Sequence, residues 1–446
     1  NQHLSVAVRA RLDRPVDCQR AELARLAFHP GKPLELAMAR GDAPADVVAA
    51  ALESPHTRAS ARLGIVPRAG DAKTDISGFS FGFVGDEAAS VDGFQLGLGW
   101  TQTHERLRGL QLAIGATVAQ GDSRGFQLAD VAYSDGKFDG FQLAGIASAA
   151  RGEARGFQLA GMASLVDGSF KGLQLAGLVS GAREVRGFQL AGAVDAADDM
   201  KGLQLAGAVT FARRMRGFQL ATVNVARDLR GGQLGAVNVI ETGGGFRLGV
   251  INVARETRGF QLGVVNVAAH DDGESFAVLN LIGNGIHALS VTSTDVMLTN
   301  LALKLGGRHL YTAFGVGYQP GNAIATGASD TRFTRDNGRW GPSLAVGWRV
   351  FVPAGRFEHL DLEASTINVY EKNGVSDKAP GVNSLRLSAG IRLAPHIALV
   401  AGAGVNVVVG QSGGDADLSL GGPQSVNHDG STTVRIYPGF VAGLEI

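Results

Sequence analysis

The residues best suited to chemistry in this chain form a short acidic run. His270, Asp271, Asp272 and Glu274 lie within five positions, and imidazole and carboxylate groups are common ligands of divalent metals. The run falls where the sequence predicts a turn, and turns are rich in solvated polar residues. We therefore interpret it as a turn and expect no metal site there.

Three other patterns suggest chemistry only weakly. Asp415 and Asp417 in GGDADLSLGG resemble one unit of a calcium-binding nonapeptide repeat, but a single unit has no second coil to complete a site. Gly402-Ala-Gly404 lacks the third glycine and the helix of a dinucleotide loop, so small strand residues explain it. A hydrolase at a barrel rim would need serine, histidine and an acid, and the candidates have no diagnostic spacing: His287, Ser290, His309 and His359. We expect a non-catalytic protein without a cofactor.

The dominant feature is a repeated motif, Gly-Phe/Leu-Gln-Leu-Ala/Gly, which recurs twelve times. One copy has Arg247 in the glutamine position, and another has Gly232 in the aromatic position. Successive copies start 14 to 16 residues apart, which fits one strand with one turn, or one coil of a small β-solenoid. The leading glycines are Gly93, Gly109, Gly125, Gly140, Gly156, Gly172, Gly187, Gly202, Gly217, Gly231, Gly245 and Gly259.

Side chains alternate along each copy with a period of two residues. In the segment 203–211, Leu205 and Val209 share one face, whereas Gln204 and Thr210 share the other. This period indicates a strand with two different environments. A strand of ten residues rises roughly 33 Å and, when tilted, crosses the ~25 Å apolar band of an outer-membrane barrel. We therefore predict that each copy is a membrane-spanning strand followed by a polar turn.

The antiparallel barrel assigns a role to the two recurring side chains. Neighbouring strands run in opposite directions, so the aromatic residue that opens each strand falls alternately at the two rims. These predicted rim or lipid-facing residues are Phe94, Phe126, Phe141, Phe157, Phe188, Phe218, Phe246 and Phe260. The glutamines are predicted to face the lumen, and they are Gln95, Gln111, Gln127, Gln142, Gln158, Gln174, Gln189, Gln204, Gln219, Gln233 and Gln261.

Composition also favours a surface that partly faces lipid. Charged residues make up 18% of the chain, below the usual ~25%. The formal net charge is zero, so no nucleic-acid partner is expected. Arginines before the glycines would be turn residues at the membrane–water edge or contacts for anionic headgroups. They are Arg108, Arg124, Arg155, Arg186, Arg216, Arg230 and Arg258.

The two ends of the chain differ from the repeats. Residues 1–75 are predicted to form a small α+β periplasmic region, with a strand at 4–12 and a helix at 45–54. Cys18 is the only cysteine, so no intrachain disulfide is expected. Residues 287–446 keep the alternation, with longer polar loops, which predicts about seven or eight further barrel strands.

Two parts of the chain resemble known proteins. GFRLGVINVA and GFQLGVVNVA, at 245–254 and 259–268, resemble the Gly-Leu-Gln-Leu-Gly-x-x-Asn repeats of bacterial surface repeat proteins, whose function is largely unknown. This resemblance covers roughly residues 78–285 and carries no catalytic residues. The C-terminal third resembles outer-membrane β-barrel proteins, and its last segment, 434–446, resembles their C-terminal strand but lacks the usual terminal aromatic residue.

We therefore predict an all-β protein that forms a large antiparallel up-and-down barrel of roughly 22 strands in the bacterial outer membrane, after removal of a signal peptide. Its regions are the α+β part at 1–75, repeat strands at 76–286 and C-terminal strands at 287–446. The expected function is a pore or a scaffold of an envelope assembly. The expected partners are the lipid bilayer and envelope proteins that fill or cap the lumen.

The alternative prediction is a β-solenoid with a small C-terminal β-domain, acting as a surface adhesin or structural stalk. Ladders of asparagine suit stacked parallel coils, and the later copies carry Asn224, Asn238, Asn252 and Asn266. In the barrel these asparagines would lie on the apolar face, where they are unfavourable. The drift of the spacing from 16 to 14 residues favours independent turns instead. The residues leave both architectures open.

Overall fold

Two β-sheets, one parallel and one antiparallel, account for nearly all of the structure. The computed structural model describes residues 56–68, 70–320, 338–371, 381–411, 425–429 and 432–446. No helix among these residues has the length and apolar character needed to cross a membrane. The strand and helix predicted at 4–12 and 45–54, together with Cys18, lie outside the described residues.

The first fifteen strands pair in chain order and in parallel, and a short 3₁₀ turn (Asp71–Lys73) follows the first of them. They are β1 (Thr57–Gly64), β2 (Thr74–Gly82), β3 (Gly85–Gly97), β4 (Trp100–Ala113), β5 (Ala116–Ala119), β6 (Asp122–Ser134), β7 (Phe138–Ala160), β8 (Ala163–Ala176), β9 (Val179–Ala191), β10 (Val194–Ala206), β11 (Val209–Leu220), β12 (Val223–Leu234), β13 (Val237–Leu248), β14 (Ile251–Asp271) and β15 (Glu274–Ile282).

Neighbouring strands pair so that each residue lies beside the equivalent residue of the adjacent copy. Gly202 lies beside Gly187 on one side and beside Gly217 on the other. Because equivalent residues of successive copies are neighbours, each copy is one coil of a parallel β-solenoid. The prediction of a wide antiparallel barrel is therefore wrong for the repeats, and the alternative, a solenoid with a small C-terminal β-domain, describes the fold better.

A bend in each copy explains why the barrel prediction failed. Strand β10 ends at Ala206 and β11 begins at Val209, so Gly207 and Ala208 turn the chain instead of continuing a strand. The strand predicted across 203–211 is therefore interrupted after Ala206. The phenylalanines consequently lie on one face of the solenoid, and not alternately at two rims.

Each coil has four parts, which the coil at residues 187–201 illustrates. Face A is 187–191, the tip is 192–193, face B is 194–197, and the charged edge is 198–201. On both faces every second side chain points into the narrow interior, and the others point outward. The interior is thus only two side chains thick, and hydrogen bonds between coils satisfy the backbone.

Glycine is required where the edge meets face A. Gly187 and Gly202 have φ angles of +139° and +136°, a region that residues with a Cβ atom rarely occupy. A Cβ atom on Gly202 would also lie 1.9 Å from the carbonyl oxygen of Gly187. The coils can stack at this corner only because the leading residue of each copy has no side chain.

The remaining strands are antiparallel, and eight of them close a barrel in which β25 returns to β16. They are β16 (Ile286–Thr294), β17 (Thr299–Gly306), β18 (Leu310–Gln319), β19 (Arg339–Ala354), β20 (Phe357–Asn368), β22 (Gly381–Ala394), β23 (Ile397–Gln411) and β25 (Thr432–Glu445). Two short strands, β21 (Tyr370–Glu371) and β24 (Ser425–Asp429), pair with β19 and β25.

The solenoid and the barrel are in direct contact. Strand β15 packs against β17 and β18, and the Thr312 hydroxyl donates a hydrogen bond to the carbonyl oxygen of Ala277 at 2.6 Å. Thr312 and its paired neighbour Leu305 occupy outward-facing barrel positions, yet both are buried. The last coil of the solenoid therefore covers part of the outer wall of the barrel.

Candidate functional site

The repeated glutamines form a hydrogen-bonded ladder inside the solenoid. The side-chain amide of Gln204 donates to Gln189 Oε1 at 3.2 Å, and that of Gln219 donates to Gln204 Oε1 at 2.9 Å. Gln204 also donates to the carbonyl oxygen of Phe211 on face B of the same coil. The glutamines that were predicted to line a lumen are instead almost fully buried in a dry interior. Their role is structural, because each side-chain amide forms hydrogen bonds with the glutamines of neighbouring coils.

A second polar ladder runs along face B. Asn224 donates to Asn238 at 2.9 Å and Asn238 donates to Asn252 at 2.8 Å, while each also donates to a backbone carbonyl. In earlier coils the same column holds serine, threonine or aspartate, such as Ser180 and Asp195. The asparagines that fitted poorly on the predicted barrel are interior residues of the solenoid.

Arg247 interrupts the glutamine ladder. Its side chain is 2% exposed, and its Nη2 donates to Thr257 Oγ1 at 2.7 Å. In the adjacent interior column the residues in register are Leu229, Gly243 and Thr257. The side chains at 243 and 257 are smaller than leucine, which leaves room for the Arg247 side chain. Burial lowers the pKa of Arg247 to about 10, and the nearby Asp271 carboxylate opposes that shift. Arg247 and Asp271 thus balance each other's charge inside the solenoid.

Asp195 is a fully buried carboxyl with one unsatisfied oxygen. Ser180 donates to one oxygen, and the other has no hydrogen-bond partner. Burial raises the pKa of Asp195 to about 7, although the bond from Ser180 acts to lower it. A carboxyl with a raised folded-state pKa stabilises the fold fully below its unfolded pKa of about 4, and this contribution is lost as the pH rises through the folded value.

Asp195→Asn is therefore expected to remove a pH-dependent loss of stability. Relative to the variant, the parent chain should lose on the order of 2 kcal/mol between pH 5 and pH 7. Chemical unfolding followed by circular dichroism across this range measures the difference. Asp228→Asn, on the charged edge, is the matched control and should leave the pH profile unchanged. A parent profile parallel to that of Asp195→Asn would contradict the expectation.

The exterior of the solenoid is apolar on three sides. Face A presents a column of phenylalanine or leucine and a column of leucine, the tip presents residues such as Met162 and Leu178, and face B presents residues such as Val179 and Val209. Met162 and Leu178 are 50% and 48% exposed. From residue 141 to residue 269 every exterior charged side chain lies at the charged edge. The predicted rim phenylalanines belong to this surface, in one in-register column.

The charged edge contains two kinds of column. In the outer columns, arginines pair with acids of neighbouring coils, as in Arg183–Asp167 at 2.6 Å and Arg213–Asp198 at 3.0 Å. The inner column lies next to the phenylalanine column. We call it the basic column, and it consists of Arg155, Lys171, Arg186, Lys201, Arg216 and Arg230 in register.

Most of the basic column forms no ion pair within 4.0 Å. Arg155 pairs with Glu153, but the five members from Lys171 to Arg230 form no such pair with any described residue. A groove of about 250 Å³ runs beside Arg186, Lys201 and Arg216, and it is also lined by Glu184 and by Asp199, which pairs with Arg214. Like charges directly opposite each other on neighbouring strands repel. The column is therefore suited to an anionic partner.

The barrel interior holds a buried ion network. Arg349 donates to Asp361 at 2.7 Å and pairs with Glu445 at 2.6 Å, while Lys304 lies 3.0 Å from Asp361 and 2.9 Å from Glu445. Tyr311 donates a further hydrogen bond to Asp361 at 3.1 Å. Glu363 lies 3.9 Å from Lys304 and accepts a hydrogen bond from Tyr311, so two cations and three carboxylates share a largely buried space.

The residues considered for chemistry do not assemble into a site. His270 pairs with Asp272, Glu274 pairs with His309, and Asp271 faces inward. Ser290 faces the barrel interior and His287 is exposed. Asp415 and Asp417 lie outside the described residues, and Gly402 and Gly404 lie within β23.

One cluster of metal-ligand type occurs among the described residues. His359, Asp361 and Glu445 bring their ligand atoms within 4.8 Å of one another. Arg349 and Lys304 already neutralise both carboxylates, so the cluster has no net negative charge to attract a metal. Sequence reasoning missed this network. A polar residue between two apolar neighbours on one strand, as at Arg349 and Asp361, is the signal that could have identified it.

Comparison with known proteins adds no assignment. No family model, no curated protein and no solved structure matches this chain. The architecture of a solenoid joined to a small barrel fits the predicted alternative, a solenoid surface protein, better than it fits a pore. The surfaces described above must therefore carry the functional argument.

Proposed function

We propose that the chain is a structural protein of the bacterial envelope, in which the eight-stranded barrel anchors the solenoid to the outer membrane. The solenoid then serves as an extended scaffold, in keeping with the resemblance of its repeats to bacterial surface repeat proteins. The single observation that carries this proposal is the polarity of the barrel, which is apolar outside and ionic inside.

The outward-facing positions of the barrel form an apolar belt. On β22, Leu385 and Leu387 are 56% and 57% exposed, whereas the alternating Ser384 and Ser388 are buried. A barrel in water would place its apolar residues inside. Apolar residues outside and polar residues inside are the arrangement of a barrel whose solvent is lipid.

The barrel interior argues for an anchor and against a pore. A barrel of eight strands has an interior just wide enough to be filled by side chains. Here the network around Arg349 and Asp361 occupies much of it, and a cavity of about 70 Å³ beside this network has room for a few water molecules. We therefore expect no passage of solutes.

Substitution at two depths of one strand tests the anchor. Leu387 lies in the middle of β22 and Leu393 lies near its end. Leu387→Arg should weaken folding into lipid vesicles by about 2–4 kcal/mol, whereas the matched control Leu393→Arg should cost about 0–1 kcal/mol, because an arginine costs most at the bilayer midplane. Heat-modifiable migration on SDS gels measures the folded fraction.

Two results would contradict the proposal. A chain that stays soluble and monodisperse without detergent, or equal effects of the two arginine substitutions, would exclude a lipid-facing belt. Release of a small dye from vesicles that contain the folded chain would show a pore instead of an anchor.

A further inference from the structure

The apolar exterior of the solenoid differs from an ordinary docking patch because it covers three sides of every coil. The exteriors of face A, the tip and face B are apolar from residue 141 to residue 269. The apolar surface starts there because an earlier coil has an exposed charged residue, Asp130, at its tip. A protein partner on one face would leave the other two in water. Contiguous apolar patches larger than a few hundred Å² mark interaction sites, and a fluid apolar phase can cover all three sides together.

The interior combines polar ladders with a cluster of buried apolar residues. Gln204, Thr210 and Asn224 are buried and hydrogen-bonded to neighbouring coils, while Leu205 and Val209 point outward. These polar groups are thus satisfied inside the coil stack, apart from a few buried atoms such as the second oxygen of Asp195 and Nη1 of Arg247, and the exterior charges lie at the charged edge. This is the condition that a structure immersed in lipid must meet.

The basic column lies where the headgroups of a membrane would be. It separates the apolar faces from the paired charges of the outer edge, and its members from Lys171 to Arg230 form no ion pair within 4.0 Å among the described residues. Cationic side chains that border an inserted apolar surface bind anionic lipid headgroups. Charge complementarity therefore selects a lipid surface with anionic phosphates.

The junction with the barrel places the solenoid at the depth of the bilayer. One side of β15 pairs with β14, and the other side contacts the outer wall of the barrel at Leu305 and Thr312. The stack of coils consequently extends outward from that wall. If the apolar belt of the barrel marks the bilayer, the solenoid starts within the same belt.

The dimensions agree with insertion into one leaflet. Face A from Phe188 to the tip at Ala193 is five residue steps long, or roughly 17 Å at the rise of a strand. Half of the hydrocarbon core measures about 15 Å. The coil is therefore deep enough for one leaflet and too shallow to cross the bilayer.

We propose that the solenoid lies lengthwise in one leaflet, with its tip toward the bilayer centre and its basic column bound to anionic headgroup phosphates. It is then a wedge in the membrane plane, and not a stalk that projects into water. This inference rests on the proposed membrane anchorage, because the barrel brings the solenoid to the membrane.

Site-specific quenching in vesicles tests both proposals separately. In a full-length Cys18→Ser background, single cysteines carry an environment-sensitive fluorophore at the tip (Leu178→Cys), at the charged edge (Arg183→Cys) or on the barrel wall (Leu387→Cys). Nitroxide on lipid tails and iodide in water are the two quenchers. We expect lipid quenching at positions 178 and 387, and iodide quenching at position 183.

Each of the other outcomes would overturn either the membrane anchor or the inserted solenoid. Lipid quenching at 387 with iodide quenching at 178 overturns the inserted solenoid but keeps the anchor. Iodide quenching at 387 overturns the anchor. Protection of 178 from both quenchers means that a protein, such as a second copy of the chain, covers the tip, and this also overturns the insertion.

A charge-matched pair of triple variants tests the headgroup contact. With the fluorophore at Leu190→Cys, nitroxide on an anionic phospholipid should quench several-fold more than nitroxide on a zwitterionic one. The ratio should fall to about one in R186Q/K201Q/R216Q. It should persist in R183Q/R213Q/R227Q, which removes the same charge from paired columns. Equal ratios in the two triple variants would overturn a role for the basic column.

Discussion

Gly202→Ala is expected to unfold the middle of the solenoid under conditions in which the parent chain stays folded. The new Cβ atom would meet the carbonyl oxygen of Gly187 at 1.9 Å, and the backbone has φ of +136°. Left-handed strain costs about 1–2 kcal/mol and steric overlap about 1–3 kcal/mol. Because the same corner repeats in every coil, neither coil can move away without disturbing the next, so we expect a total of about 3–5 kcal/mol.

Gly181→Ala is the matched control for that substitution. Gly181 lies in the same part of the solenoid without a positive φ, and its nearest atom is the flexible end of Leu165 at 3.3 Å. Its unfolding midpoint, followed by circular dichroism in denaturant, should remain near that of the parent chain. If the two alanine variants unfold together, the glycine corner does not constrain the stack.

Arg349→Met is the second substitution with a large expected effect. It would leave Asp361 and Glu445 buried, with Lys304 as their remaining Lys or Arg partner among the described residues. Breaking a buried ion pair by removing one partner costs about 3–5 kcal/mol. We expect loss of the heat-modifiable form of the barrel on SDS gels, and earlier unfolding reported by Trp340 and Trp348, which both lie on β19.

The control is an ion pair of the same chemistry on the barrel surface. Arg392 lies 3.1 Å from Glu358 and its side chain is 56% exposed. Arg392→Met should change stability by less than about 1 kcal/mol, because solvent screens such pairs. The double variant R349M/D361L should recover part of the loss, since it removes an uncompensated charge as well as its partner. No recovery would mean that the network acts through packing alone.

The sequence allowed prediction of strand content but not of strand direction. Alternation in the C-terminal third predicted seven or eight strands, and eight close the barrel. In the repeats the alternation continues through the bend at Gly207 and Ala208, because Gln204, Ala206 and Thr210 all point inward at even spacing. A strand and a two-residue bend of this kind have the same pattern, so periodicity alone could not separate them.

The later copies did contain a signal for the bend. From Gln204 to Thr210 the inward positions are six residues apart, but from Gln219 to Asn224 they are five residues apart. An odd spacing cannot occur within one strand whose alternate side chains share a face. The asparagines that fitted the barrel poorly therefore indicated that the inward-facing alternation shifts by one residue at the tip, where the shorter copies lose one residue.

The basic column and the ion network illustrate two limits of sequence reasoning. The arginines before the glycines were recognised as a repeated basic mark, but only the parallel register places Arg186, Lys201 and Arg216 side by side. The ion network joins Lys304, Arg349 and Glu445, which lie on three different strands. Pairing across a closed barrel depends on strand register, which the alternation of a single sequence does not reveal.

Because successive coils stack in identical register, the solenoid is a linear array whose length is proportional to its number of coils. Within the described solenoid each coil pairs with the coils on either side of it, so its stability is approximately a sum of coil and interface terms. Duplication or loss of one 14- to 16-residue copy would change the length by roughly 4.8 Å, the spacing between neighbouring strands. Unequal recombination within such a gene could thus tune the reach of the protein in small steps, while the barrel at one end stays unchanged.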